Sequence, residues 1–132
     1  MGRFSSFAIT FGLLSLLPLS GWSEAPPLRV DADDLTQEYA VFRRAQVGEV
    51  SYELDFRFEK KATTFDGTAR LHVRLHHADA PLSIDLVAET LDAVRVNGVT
   101  VSDLVERTGS FDIPAAYLRV GQNDITIQYT AA

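Results

Sequence analysis

The 132-residue chain contains no cysteine, which removes disulfides, thiolate chemistry and a lipid-anchor cysteine together. Basic residues are few: 12 Lys and Arg stand against 18 Asp and Glu, for a net charge of −6. The adjacent basic pairs are Arg43-Arg44 and Lys60-Lys61, which fit a solvated helix end and a turn. Binding to nucleic acid or to an anionic membrane surface needs clustered cations, so neither is an expected partner. No apolar run approaches the roughly 20 residues that span a bilayer. The longest, residues 7–19, follows a short segment carrying Arg3 and is broken by Pro18, Ser20 and Gly21. That succession of basic, apolar and small residues is a secretory leader. Residues 1–23 are therefore expected to be a signal peptide, cut after Ser23, because Pro26 would hinder a cut after Ala25. No membrane span remains after cleavage, and the expected location is the periplasm or the exterior.

What remains has an ordinary globular composition, 46% hydrophobic and 23% charged, and length enough for one domain. Residues 24–33, opening with Pro26-Pro27, read as a linker. Asp34 followed by Leu35-Thr36-Gln37 has the D-x-x-Q form of a capping box. Leu35, Tyr39 and Phe42 then recur at helical spacing, which predicts a helix ending near Ala45 and stopped by Gly48.

Beyond Gly48 the period changes to two. Val50, Tyr52, Leu54, Phe56 and Phe58 alternate with polar residues, as do Ala69, Leu71, Val73 and Leu75; each set predicts a half-buried strand. Antiparallel pairing of the two would oppose an acidic outer row (Glu53, Asp55) to a basic one (Arg70, His72, Arg74), with several weak charge pairs favouring that register. Leu82, Ile84 and Leu86 follow Pro81 as a third strand. Asn97-Gly98 predicts a tight hairpin across residues 94–101. Residues 110–113 read as a short strand, and Pro114-Ala115-Ala116-Tyr117-Leu118 as one helical turn ended by Gly121. Ile125, Ile127 and Tyr129 form a last strand. Short strands at regular spacing after one helix predict a mainly β protein: an antiparallel β-sandwich over residues 34–132.

Chemistry is hard to find. His72, His76 and His77 are the only histidines. On a strand, residues four apart lie about 13 Å from each other, whereas zinc needs ligand nitrogens about 2 Å away; His76 and His77 point to opposite faces. No H-E-x-x-H or G-x-S-x-G occurs. Asp31-Ala32-Asp33-Asp34 lacks the glycine and the bidentate acid of a calcium loop and reads as helix capping. Asp85 and Asp92 form no acid–base pair by spacing alone, and Ser110 has no neighbouring histidine. Asn97-Gly98 and Gly121-Gln122-Asn123 are turns without a following helix, so neither cradles phosphate. No catalytic, cofactor-binding or metal-ligating residue is assigned.

The order of these pieces carries a resemblance. The pieces are Val50-Ser51-Tyr52-Glu53-Leu54-Asp55-Phe56, Phe65-Asp66-Gly67-Thr68-Ala69-Arg70-Leu71-His72-Val73, Pro81-Leu82-Ser83-Ile84-Asp85-Leu86, Val94-Arg95-Val96-Asn97-Gly98 and Gly121-Gln122-Asn123-Asp124-Ile125-Thr126-Ile127-Gln128-Tyr129. Together with the helix from Leu35, this series resembles the amino-terminal domain of the aminopeptidase N family of zinc metallopeptidases, over residues 35–129. The resemblance implies a saddle-like β domain docked on a thermolysin-like catalytic domain, whose zinc is held by H-E-x-x-H and a downstream glutamate. A G-A-M-E-N strand and a glutamate of a later loop would grip the substrate amine. None of these elements is present, so the expected role is that of a non-catalytic front portion, truncated, which needs no cofactor of its own. Its expected partner is the catalytic domain of the same or a split aminopeptidase. The alternative is a free-standing secreted sandwich that binds a protein or glycan surface. A third possibility, a metal-binding protein built on the three histidines, conflicts with the strand geometry.

Overall fold

In a computed structural model, Pro27 and residues 35–132 are described; the leader, most of the linker and Asp31, Asp33 and Asp34 lie outside these residues. One helix, α1 (Gln37–Gln46), precedes eight strands: β1 (Val47–Phe58), β2 (Phe65–Leu75), β3 (Leu82–Asp85), β4 (Thr90–Val96), β5 (Val99–Thr100), β6 (Val105–Arg107), β7 (Ser110–Ile113) and β8 (Gly121–Ala131). A 3₁₀ turn at Ala115–Tyr117 separates the last two. All pairings are antiparallel. One sheet runs β1-β2-β8-β4-β5 and the other β3-β7-β6. The sandwich expected from the strand periodicity is thus the architecture found.

The core lies between the sheets. Ala69, Leu71, Val73 and Leu75 of β2, Val94 and Val96 of β4, and Ile125, Ile127 and Tyr129 of β8 face Leu82 of β3 and Phe111 and Ile113 of β7. Burial alternates residue by residue along β2 and β8, as a sheet with one covered face requires. The hairpin between β4 and β5 turns at Asn97 (φ 50°) and Gly98 (φ 83°), the two positive φ values that an Asn-Gly type I′ turn needs.

Three expectations need correction. The helix is capped by Thr36, whose Oγ1 accepts from Tyr39 N at 3.1 Å, so the cap lies two residues later than the capping-box spacing implied. Tyr39 is buried, but Leu35 is 58% exposed, so the apolar face narrows to little more than one ring. Gly48 does not end the segment. β1 begins at Val47, and the register shift between Val47 and Val50 absorbs the helix-to-strand change as a bulge. A Cβ on Gly48 would meet His76 Nε2 at 2.9 Å, the far end of an exposed side chain that can swing aside.

The third correction is the largest. β1 was expected to be half-buried, yet after its partly buried first residue both of its faces are exposed. Val50, Tyr52, Leu54, Phe56 and Phe58 remain 37%, 66%, 52%, 49% and 72% exposed. The register explains how this arises. Tyr52 pairs with Leu71, Leu54 with Ala69, Phe56 with Gly67 and Phe58 with Phe65, so the apolar row does lie on the core side of the sheet. The opposing sheet, however, has three strands against five, and its cover runs out beneath β1.

Candidate functional site

The histidines do not form a site. His72, on the solvent face of β2, places Nδ1 2.6 Å from Asp124 Oδ1 on neighbouring β8, an exposed pair. His76 has left the strand, and its backbone N–H donates to Gln46 O at 2.8 Å. His77 is exposed beside it. Among the described residues, no group of three His, Asp or Glu side chains is placed to hold a metal ion.

The carboxylates considered earlier are also separate. Asp85 ends β3 and pairs with Arg43 Nη1 at 3.2 Å, tying α1 to the second sheet. Asp92, on β4, accepts from Thr90 Oγ1 at 2.8 Å and Thr130 Oγ1 at 3.1 Å. They belong to different sheets. The cross-strand charges come together as expected: Arg70 Nη1 reaches Asp55 Oδ2 at 2.9 Å and Glu53 Oε1 at 3.4 Å. These exposed pairs set register rather than stability.

Gly121-Gln122-Asn123 has a structural role that spacing did not reveal. Asn123 is fully buried. Its Nδ2 donates to Arg119 O (2.7 Å) and Gly121 O (3.1 Å), while its Oδ1 accepts from Arg119 N (3.0 Å) and Asn97 Nδ2 (3.1 Å). One side chain thereby fastens the segment after the 3₁₀ turn to the β4–β5 hairpin. Gln46, 2% exposed, acts similarly by donating to Ala80 O and Pro81 O, which anchors the end of α1 beside β3.

Two surfaces stand out. The first is an open cleft of about 550 Å³ between the β6–β7 hairpin and residues 86–91. At its wall Arg107 Nη1 lies 2.7 Å from Asp112 Oδ2, with side chains 20% and 15% exposed. The contact lacks hydrogen-bond alignment, and Ser110 Oγ and Asp112 Oδ1 are buried without hydrogen-bond partners. Among the described residues, no base lies within hydrogen-bond reach of Ser110 Oγ.

The second is the row along β1. Phe56, Phe58 and Phe65 form a ring cluster with centroids 5.0–6.2 Å apart, and Leu54, Tyr52 and Val50 extend it towards a smaller cleft bounded by Arg43 and by Leu82, Ser83, Ile84 and Asp85 of β3. The sequence supplied this row correctly but placed it in the core. Contiguous exposed apolar side chains of this kind mark a surface for interaction with protein, membrane or ligand. Among the described residues, no helix is long and apolar enough to cross a membrane. No family model matches the chain, and no curated protein matches it.

Proposed function

We propose that this sandwich is a non-catalytic packing module: the amino-terminal β portion of an exported zinc aminopeptidase of the aminopeptidase N type, where it walls and shapes the peptide cleft. The carrying observation is the apolar row of β1 on the core side of its sheet. A sheet face of this composition is stable in water only at the cost of leaving apolar area exposed, roughly 25 cal/mol for each Å² left uncovered. Packing against a catalytic domain of the same or a split protein would recover that area. The ordered strand series over residues 35–129 supports the family reading by resemblance, and the leader-like residues 1–23 support export to the periplasm or beyond.

In this reading the chain contributes shape, and the chemistry belongs to the partner domain. Purified chain is expected to release no amino acid from aminoacyl-anilides with or without added zinc; chelator-sensitive turnover would refute it. Reading the coding sequence past codon 132 tests the family assignment directly. An in-frame H-E-x-x-H is expected, and its absence from this and adjacent reading frames counts against the assignment.

A specific observation favours the second reading, a free-standing secreted binding module. β8, the last strand in the chain, lies between β2 and β4 and is hydrogen-bonded on both sides. Equilibrium unfolding separates the two. A soluble species with one sharp transition favours the free-standing module, whereas aggregation at low denaturant favours a portion that needs its partner.

A further inference from the structure

The apolar row concerns a face of β1; its outer edge is a separate feature and carries a separate inference. Among the described residues, β1 has one strand neighbour, β2. At the opposite end of the same sheet, β5 has two residues, too few to template pairing. β1 has twelve. Past the bulge near its start, the regular run 50–58 contains no proline, no lysine and no charge on the apolar face. These are the devices by which proteins blunt a sheet edge. Backbone donors and acceptors of alternate residues along the run point outward, with no strand partner among the described residues.

We propose that β1 is a homodimerisation edge, two copies pairing antiparallel through it about a two-fold axis at Asp55. Any isologous strand pairing that keeps both apolar rows on one side must oppose residues of the same parity. Within the run, that leaves a few registers, and charge selects among them. Centred on Leu54, the pairing sets Glu53 against Asp55 twice with no attractive carboxylate–Arg pair. Centred on Glu53, it opposes the two Glu53 side chains and sets Arg57 opposite only Glu49, which lies in the bulge outside the regular run. Centred on Phe56, it pairs Asp55 with Arg57 but overlaps only residues 54–58. Centred on Asp55, it overlaps residues 52–58 and sets Glu53 opposite Arg57 of the second copy at both ends.

On the apolar side, that register opposes Leu54 to Phe56 and Tyr52 to Phe58, each twice. Cross-strand aromatic–aliphatic and aromatic–aromatic pairs of this kind stabilise antiparallel ladders. The one unfavourable contact, Asp55 against Asp55, is flanked in each copy by Arg70 at 2.9 Å. The register works whichever parity of β1 residues presents its backbone outward, since a self-paired centre fits both kinds of antiparallel pair. This dimer uses the edge rather than the face and does not rest on the aminopeptidase reading.

The absence of cysteine makes the register directly measurable. In Asp55→Cys the two thiol-bearing residues would have Cα atoms about 4.5–5.5 Å apart, within disulfide range. In Ser51→Cys they would be about 27 Å apart along the strands. The full chain is expected to sediment as a concentration-dependent dimer, with Asp55→Cys, and not Ser51→Cys, cross-linking under mild oxidation. Glu53→Arg and Arg57→Glu should each weaken dimerisation at least about tenfold, and the double swap should restore it to within about threefold. All four substitutions change exposed residues, and circular dichroism checks that the fold persists. A monomer at every concentration would overturn the proposal, leaving the edge to another polypeptide. Equal cross-linking of both cysteines, or failure of the double swap to restore association, would do the same.

Discussion

Gly67 of β2 pairs with Tyr129 of β8, and the Tyr129 ring lies directly over it. A Cβ at position 67 would meet Tyr129 Cζ at 2.3 Å, Cε2 at 2.6 Å and Oη at 2.7 Å. The ring is rigid and 7% exposed, so it cannot swing aside without moving core neighbours. Gly67→Ala therefore costs overpacking of about 1–3 kcal/mol, partly offset by about 0.5–1 kcal/mol from the reduced freedom of the unfolded chain. The net expected loss is about 1–2 kcal/mol. With a urea m-value of roughly 1–3 kcal/mol/M, the midpoint should fall by about 0.5–1 M in far-UV circular dichroism, at unchanged m. Replacing Tyr129 with Leu removes the obstructing ring edge, so alanine at 67 should cost less in that background, with a coupling of about 1 kcal/mol. Equal cost of Gly67→Ala in both backgrounds, or no cost in either, would refute the steric argument.

The buried amide of Asn123 makes four hydrogen bonds, so Asn123→Ala should lose about 3 kcal/mol by the same assay; a loss under about 1 kcal/mol would show that the hairpin end is not fastened there. Asp112→Ala leaves the Arg107 guanidinium, 20% exposed, without its counter-ion and should cost about 2 kcal/mol, whereas Arg107→Leu with Asp112→Leu should come closer to neutral. Phe58→Ser and Tyr52→Thr change side chains 72% and 66% exposed; stability should move by less than about 0.5 kcal/mol while binding of a hydrophobic dye falls. A large stability loss from either would mean that the row belongs to the core after all.

Alternation and turn chemistry made much of the fold legible. β2 and β8 were readable because alternate residues from Ala69 to Leu75 and from Ile125 to Tyr129 are aliphatic or aromatic, and the β4–β5 hairpin because Asn-Gly favours a type I′ turn. Other elements were less accessible for physical reasons. β6, with Val105, Glu106 and Arg107, is too short to display a period and is held by pairing with β7. β4 starts at Thr90, earlier than its apolar run suggests, because the register shift between Leu91 and Ala93 breaks the alternation. The helix start was misplaced because Asp34 and Thr36 are both competent caps, and only backbone geometry distinguishes them. For the site, the local pattern gave no sign of Asn123, whose partners at Asn97 and Arg119 come from separate turns.

β1 shows where a period-two pattern runs out. Alternation records which side chains share a face, and Tyr52, Leu54, Phe56 and Phe58 do share one with Leu71, Ala69 and Phe65. It cannot record whether a second layer lies opposite, because that depends on how many strands the other sheet contributes. Here β3, β7 and β6 contribute eleven residues in all, fewer than β1 has alone. The same apolar row is therefore core at the β2 position and surface one strand further out. A strand written for burial but left at the margin retains the drive to be covered, and its regular, proline-free edge leaves its backbone open to pairing. The face and the edge of β1 are consequently the two places where, among the described residues, this sandwich leaves apolar area and backbone pairing capacity uncovered.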